Sequence, residues 1–228
     1  MNIKLVHSST KIILTAICCC FFYNNTAAQE LPFYSDIQTF KKQDSAAFPP
    51  KNAILFVGSS SFTKWTDVQD YFPGYPIINR GFGGSSLPDL IRYVNDIIIP
   101  YHPKQIIIYC GENDIGGNDT TVNGKVVFNR FKQLFMLIKK QIPTVAIGYA
   151  SMKPSPSREK LWPKMIDGNL LIKAFLTKQK NTAFINVYHK MFNKNGTVMK
   201  DIFIEDNLHM NARGYAIWQK IIAPYLVK

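Results

Sequence analysis

Ser60 stands just past the apolar run Ile54-Leu55-Phe56-Val57-Gly58, with Ser59 between, and far along the chain Asp206 stands three residues before His209. A hydroxyl, an imidazole and a carboxylate are the groups that serine hydrolysis needs: a nucleophile, a base that takes its proton, and an orienter that holds the base in one tautomer. The reaction also needs donors aimed at the developing oxyanion. Gly84 leaves its backbone N–H unobstructed by a side chain, and Asn113 offers an amide donor with no competing charge. Together these residue types can attack an ester carbonyl. Each also has a plainer role. Ser59 or Ser60 can cap the helix that follows, Gly84 can serve only a turn, Asn113 can cap a turn or helix, and an Asp-x-x-His spacing is common by chance. What separates the two readings is whether the fold brings the groups to one place.

The elements that would do so can be read from hydrophobic periodicity. Strands are expected over Ala53–Val57, Pro76–Arg80, Gln105–Cys110, Thr144–Tyr149 and Ala183–Tyr188. Helical spacing is expected between them, from Ser61 to Tyr71, from Ser86 to Pro100, over Val126–Gln141 and over Glu159–Gln179, where Pro163 and Gly168 threaten the first turns. A last helix, capped by Asn211, runs to about Ala223, and a short helix or hairpin is expected around Asn195-Gly196. Strands alternating with helices imply an α/β protein: a three-layer αβα sandwich around a five-stranded parallel sheet. In such a sheet ligands bind beyond the carboxyl ends of the strands. Ser60, Gly84 and Asn113 each lie just past a different strand, and the Asp206–His209 loop precedes the last helix.

The ends and the composition narrow the class. Lys4 and Lys11 precede the apolar run Ile12–Tyr23, and Thr26-Ala27-Ala28 supplies small residues, so residues 1–28 read as a signal peptide and the protein as exported, periplasmic or secreted. Lipid anchoring at a cysteine is less consistent, because Cys18 follows Ile17 and Cys19 follows Cys18. No stable membrane insertion is expected once the leader is removed. Residues 29–52 read as a polar lead-in with a helical turn or two around Ile37–Lys42, and residues 53–228 as one domain. Three of the four cysteines fall in the leader, which leaves Cys110 as a buried thiol without a disulfide partner. The net charge of +12 becomes +10 without the two leader lysines, but the basic residues are dispersed, so no nucleic-acid partner is expected.

Four short blocks carry a resemblance. Gly58-Ser59-Ser60-Ser61, Asn79-Arg80-Gly81-Phe82-Gly83-Gly84, Gly111-Glu112-Asn113-Asp114 and Asp206-Asn207-Leu208-His209 resemble the blocks of the SGNH, or GDSL-type, hydrolase superfamily. The resemblance runs from about Ile54 to the C-terminus. It implies a flavodoxin-like fold and an esterase or acetylesterase with Ser60 as nucleophile, His209 as base and Asp206 as its orienter. The Ser60 N–H, the Gly84 N–H and the Asn113 side chain would form the oxyanion hole, with no metal or cofactor. The pattern is similar to a branch that includes platelet-activating-factor acetylhydrolase-like and carbohydrate acetylesterase proteins, which implies small acyl groups on a carbohydrate or lipid alcohol. One departure stands out: Ser59 replaces the aspartate of the usual Gly-Asp-Ser block.

Three other readings fit less well. A dinucleotide enzyme would place a third glycine where Ser86 stands and would leave only Glu112 for the ribose. A non-catalytic glycan binder could use Trp65, Trp162 and Tyr149 as an aromatic platform, although such residues more often pack in a core. A metal site finds His102, His189 and His209 without paired spacing, and Glu112-Asn113-Asp114 reads as a hydrogen-bonded turn. The oligomeric state is not legible in the chain.

Overall fold

The apolar run before Ser59 forms strand β1 (Ile54–Gly58), buried along its whole length in the computed structural model, which describes residues 30–228. The expected leader lies outside the described residues. Strands β2 (Ile77–Gly81) and β3 (Gln105–Tyr109) flank β1 in parallel, with Ile54 in register with both Ile77 and Gln105. Strands β4 (Ala146–Ala150) and β5 (Thr182–Ile185) extend the sheet on the β3 side. The spatial order is β2-β1-β3-β4-β5, the flavodoxin-like order, whose direction of winding reverses between β1 and β3.

Alternation along the strands divides the core into two layers. Leu55, Val57, Ile106, Ile108 and Ile147 face a cluster with helices α1 (Tyr34–Ala46), α4 (Leu87–Arg92), α5 (Val94–Ile97), α7 (Gly124–Gln141) and α8 (Trp162–Leu176). Ile54, Phe56, Ile107 and Tyr109 face the other cluster, with helices α2 (Ser60–Thr63), α3 (Val68–Tyr71) and α9 (Ala212–Ile222). This is the expected three-layer sandwich.

Several boundaries differ from the sequence reading, each for a tertiary reason. The lead-in is a helix of 13 residues, held by buried Ile37, by a Lys41–Asp96 ion pair of 2.6 Å and by a short ion pair between Asp44 and buried Arg80. The helix expected from Ser61 to Tyr71 is two short ones, because the Asn79 amide takes the carbonyls of Phe62 (2.8 Å) and Trp65 (3.2 Å) while Trp65 turns into the core. The segment from Ser86 to Pro100 is likewise interrupted at Tyr93, whose hydroxyl reaches the Pro32 carbonyl at 2.8 Å. Strand β5 stops at Ile185, since Ser151 Oγ accepts the N–H groups of both Val187 and Tyr188 at 3.1 Å. Helix α8 is unbroken at Gly168. A Cβ on Gly124 would stand 2.4 Å from the Gly168 nitrogen, so these glycines let α7 and α8 touch backbone to backbone. The Asn195-Gly196 turn closes a small hairpin through a Phe192–Val198 bridge.

Candidate active site

Gly58 decides where the first serine goes. Its φ is +151°, and a Cβ there would lie 1.9 Å from the Tyr109 carbonyl oxygen on β3, so only glycine lets the two strands stay paired at this point. The Ser59 N–H donates to that same carbonyl at 3.0 Å, and the chain then turns into α2 with Ser60 as its first residue. From the rim of the sheet the Ser60 Oγ meets His209 Nε2 at 2.9 Å, across 149 residues of sequence. His209 Nδ1 lies 2.5 Å from Asp206 Oδ2. The three side chains make one hydrogen-bonded relay.

The loop carrying Asp206 and His209 is locally knit. Asp206 Oδ1 accepts the N–H groups of Leu208 and His209, each at 2.9 Å, and Asn207 takes a left-handed backbone with φ 54°. Behind it, Phe203 bridges Met210, and the Asn211 side chain caps α9 by accepting from Arg213 and Gly214. Partial burial pushes the Asp206 carboxyl up, but the bonds from His209 and Leu208 outweigh it and hold the group at about 2. The carboxylate is therefore ionised over the whole range in which a neutral imidazole can act as base. Its side chain is 42% exposed, against 16% for His209.

Gly84, with φ 86°, lies on the turn after β2. That turn is stitched to the end of β1 by bonds to the Gly58 carbonyl from Phe82 N at 2.9 Å and Ser85 Oγ at 3.3 Å. A Cβ on the neighbouring Gly83 would stand 3.9 Å from Ser60 Cβ, and one on Gly84 would stand 3.7 Å from the Phe33 ring. Asn113 is on the short helix α6 (Glu112–Gly116). Its Nδ2 donates to Ser59 Oγ at 2.7 Å and to the Ser85 carbonyl at 2.9 Å, so the amide sits between the turns that follow β1 and β2. Ser59, standing where an aspartate is usual, is thus the partner of Asn113.

The residues around Asn113 are charged and buried. Glu112 accepts the Lys153 backbone N–H at 2.8 Å and the Lys153 ammonium at 3.1 Å, and takes a short bond from the Tyr109 hydroxyl. Burial pushes the Lys153 ammonium down. Burial alone would raise the Glu112 carboxyl, but Lys153 and Arg158 hold it below its ordinary value. Asp114 caps α4 by accepting the Leu87 N–H at 2.9 Å and pairs with Arg130 at 2.8 Å, and burial raises its pKa. Among the described residues no three His, Cys, Asp or Glu side chains cluster as metal ligands would.

The model of the GDSL-like lipase/acylhydrolase family matches residues 51–217, well over half of the chain. The chain belongs to that family. No curated protein matches it. Among solved structures, a GDSL-like lipase from Bacteroides thetaiotaomicron VPI-5482 is similar at 21% identity, over 82% of this chain and 95% of the other, with a TM-score of 0.70. A protein from Streptococcus pneumonia, provisionally described as a platelet activating factor, shares 21% identity over 85% of this chain and 92% of its own, with a TM-score of 0.73. An acetyl-xylooligosaccharide esterase from Geobacillus Stearmophilus, solved as a mutant, shares 15% over 78% and 95%, with a TM-score of 0.62. At these identities the likeness establishes the GDSL-type fold and leaves the chemistry to the site itself.

Within this GDSL-like frame, the five residues singled out from the sequence, Ser60, Asp206, His209, Gly84 and Asn113, all stand at the same end of the sheet. Sequence reasoning missed Arg158, which donates to Asn113 Oδ1 at 2.7 Å, along with the Glu112–Lys153 pair and the Phe33 ring against Gly84. The available signal was Lys153-Pro154-Ser155-Pro156-Ser157-Arg158, two cations bracketing a segment too rich in proline for regular structure. Of the proposed aromatic platform, Trp65 and Tyr149 are fully buried in different core clusters, and only Trp162 remains half-buried. Cys110 is a buried free thiol, as expected. Among the described residues no helix is long and apolar enough to cross a membrane.

Proposed function

We propose that this GDSL-like acylhydrolase is a serine esterase that removes short acyl groups, acetyl foremost, from a carbohydrate or lipid alcohol by way of an acyl-enzyme. The observation that carries the reading is the unbroken relay from Ser60 Oγ through His209 to Asp206, at 2.9 and 2.5 Å. His209 Nε2 takes the Ser60 proton as Oγ attacks the ester carbonyl, and Asp206 keeps the ring in the tautomer that leaves Nε2 free to accept it. Collapse of the tetrahedral intermediate expels the alcohol, protonated by His209, and leaves an acyl-serine. Water, deprotonated by the same imidazole, releases the acid and restores Ser60.

The oxyanion would be met by the N–H groups of Ser60 and Gly84 and by the Asn113 amide. In the free chain both Asn113 hydrogens already have acceptors, Ser59 Oγ and the Ser85 carbonyl. A full negative charge is a stronger acceptor than a neutral hydroxyl, so the developing oxyanion draws the hydrogen shared with Ser59. The interaction then strengthens as the transition state is approached, which is what lowers a barrier. A glycan-binding role without turnover has less behind it, since two of the three aromatic side chains it would use are in the core.

Hydrolysis of acetylated sugars and of p-nitrophenyl esters of increasing chain length, with Ser60→Ala as blank, tests the reading. The variant is expected to lose roughly a millionfold in kcat and all labelling by a fluorophosphonate, with its unfolding midpoint unchanged. Near-native turnover by Ser60→Ala would end the assignment. The leader read over residues 1–28 makes the enzyme an exported one. The N-terminal mass of protein recovered outside the cytoplasm, expected to begin at Gln29, tests that part.

A further inference from the structure

We propose that Arg158 is a positioning residue for the oxyanion amide: it fixes which end of the Asn113 side chain faces the reacting carbonyl and polarises that amide as a donor. The inference rests on the acylhydrolase reading above and adds to it a residue outside the four sequence blocks. A terminal amide is nearly symmetric in shape, so its two ends can exchange by rotation about the last bond unless neighbours discriminate between them. A guanidinium can only donate. Arg158 Nη2 stands 2.7 Å from Asn113 Oδ1, so the oxygen end is committed to Arg158 and the NH₂ end is turned to Ser59 Oγ and the Ser85 carbonyl. A positive charge on the carbonyl oxygen also draws electron density from the nitrogen and makes its N–H a stronger donor.

Arg158 is itself held. Its Nη1 lies 3.6 Å from Glu112 Oε2, and that carboxylate is pinned by the fully buried Lys153. The guanidinium packs beside Gly116, its Cζ 3.4 Å from where a Cβ would stand. The loop that delivers it is fastened on both flanks: Trp162 Nε1 donates to the Ser155 carbonyl at 3.1 Å, and the Ser157 N–H donates to the Asn207 carbonyl at 3.1 Å. That second bond ties the same loop to the turn that carries Asp206 and His209. One segment of chain therefore bonds both to the donor and to the turn that carries the base.

The test is steady-state hydrolysis of p-nitrophenyl acetate by Arg158→Ala, Arg158→Lys, Asn113→Ala and the Arg158→Ala/Asn113→Ala double variant, with thermal unfolding run on each. Asn113→Ala is expected to lose roughly 100- to 1,000-fold in kcat. Arg158→Ala is expected to lose roughly 10- to 100-fold, in kcat with little change in KM, because a charge-assisted hydrogen bond is removed from the donor and none from the substrate. Arg158→Lys should recover part of that loss. The double variant should be no slower than Asn113→Ala alone, since an arginine that acts through Asn113 has nothing left to act on.

The proposal is overturned if Arg158→Ala keeps kcat within twofold, if its loss appears in KM alone, or if the loss is as large without Asn113 as with it. An Asn113→Ala enzyme with native turnover would overturn it too, and would remove Asn113 from the oxyanion hole. Ser60→Ala separates the two levels. If that variant is dead while Arg158→Ala is unimpaired, the esterase reading stands and the role of Arg158 does not. Should Arg158→Ala fail to fold, Arg158→Gln, which can still donate but carries no charge, replaces it in the same cycle.

Discussion

The imidazole side of the site and the amide side are held by opposite means. Asp206 and His209 sit on a surface turn, the carboxylate 42% exposed, and their geometry comes from bonds among four consecutive residues and a cap on the next helix. The Asn113 oxygen is held by Arg158, and Arg158 is backed by Glu112 and its buried partner Lys153, which comes from 41 residues along the chain. The contrast fits the chemistry proposed for each side. A base exchanges protons with substrate and water, so it needs access and a local hold. An oxyanion donor gains strength from a dry, preorganised setting, so it is backed by charges that water does not screen. The base side should therefore lose rate without losing fold, and the donor side should lose both.

The largest effect expected is on the base side. His209→Ala should lower kcat about a millionfold, while its stability to urea falls by no more than ~1 kcal/mol. A clear loss of stability in that variant would break the contrast. On the donor side, Lys153→Met removes the buried cation from Glu112, leaving the looser Arg158 contact at 3.6 Å as its counter-charge, and should cost about 3 kcal/mol in chemical denaturation, most of it recovered when Glu112→Gln is added. If Lys153→Met alone were as stable as the parent, the buried pair would not be what anchors the donor side.

The smallest effect concerns acid. Asp206 is held at about 2 when folded, against an ordinary value of about 3.9 when unfolded. A depressed carboxyl stabilises the fold fully above the unfolded value, and that stabilisation is lost as pH falls through the folded one. The sensitive window is thus from about pH 5 down to about pH 2. The exposed pair contributes at most ~1 kcal/mol after solvent screening. Denaturation at pH 6 and pH 2 should show this increment in the parent and not in Asp206→Asn. An identical pH slope in both would mean that the turn is held without the carboxylate.

What was legible in the chain divides along the same line. Ser60, Asp206 and His209 stand out as candidates because each sits in a short block at the end of a periodic element, and the apolar runs before Gly58 and Cys110 announce buried parallel strands. The Glu112–Lys153 pair could not be found, because its partners are 41 residues apart and burial, not spacing, makes them partners. Glu112 therefore read as part of a turn. The first helix shows in the sequence as only a turn or two for a related reason: one residue of it, Ile37, is buried, and its other fastenings reach Asp96 and Arg80. The helix after Ser60 was read as too long because its breaker, the Asn79 side chain, comes from the next strand. Local pattern carries propensity. It does not carry the tertiary partners that override it.

The clasp on Arg80 bears on how this enzyme can be dissected. Asp44 accepts from both the Arg80 guanidinium and the Tyr101 hydroxyl, the latter at 2.5 Å, and at the far end of the chain Gln105 bonds to Tyr225 and Val227 at 2.7 and 2.9 Å. Neither Asp44 nor those C-terminal residues fall within the span shared with the family. Cutting the protein back to that span would take the carboxylate partner from the buried cation on β2 and both bonds from the buried amide on β3, so the stretches flanking the shared span fasten its sheet.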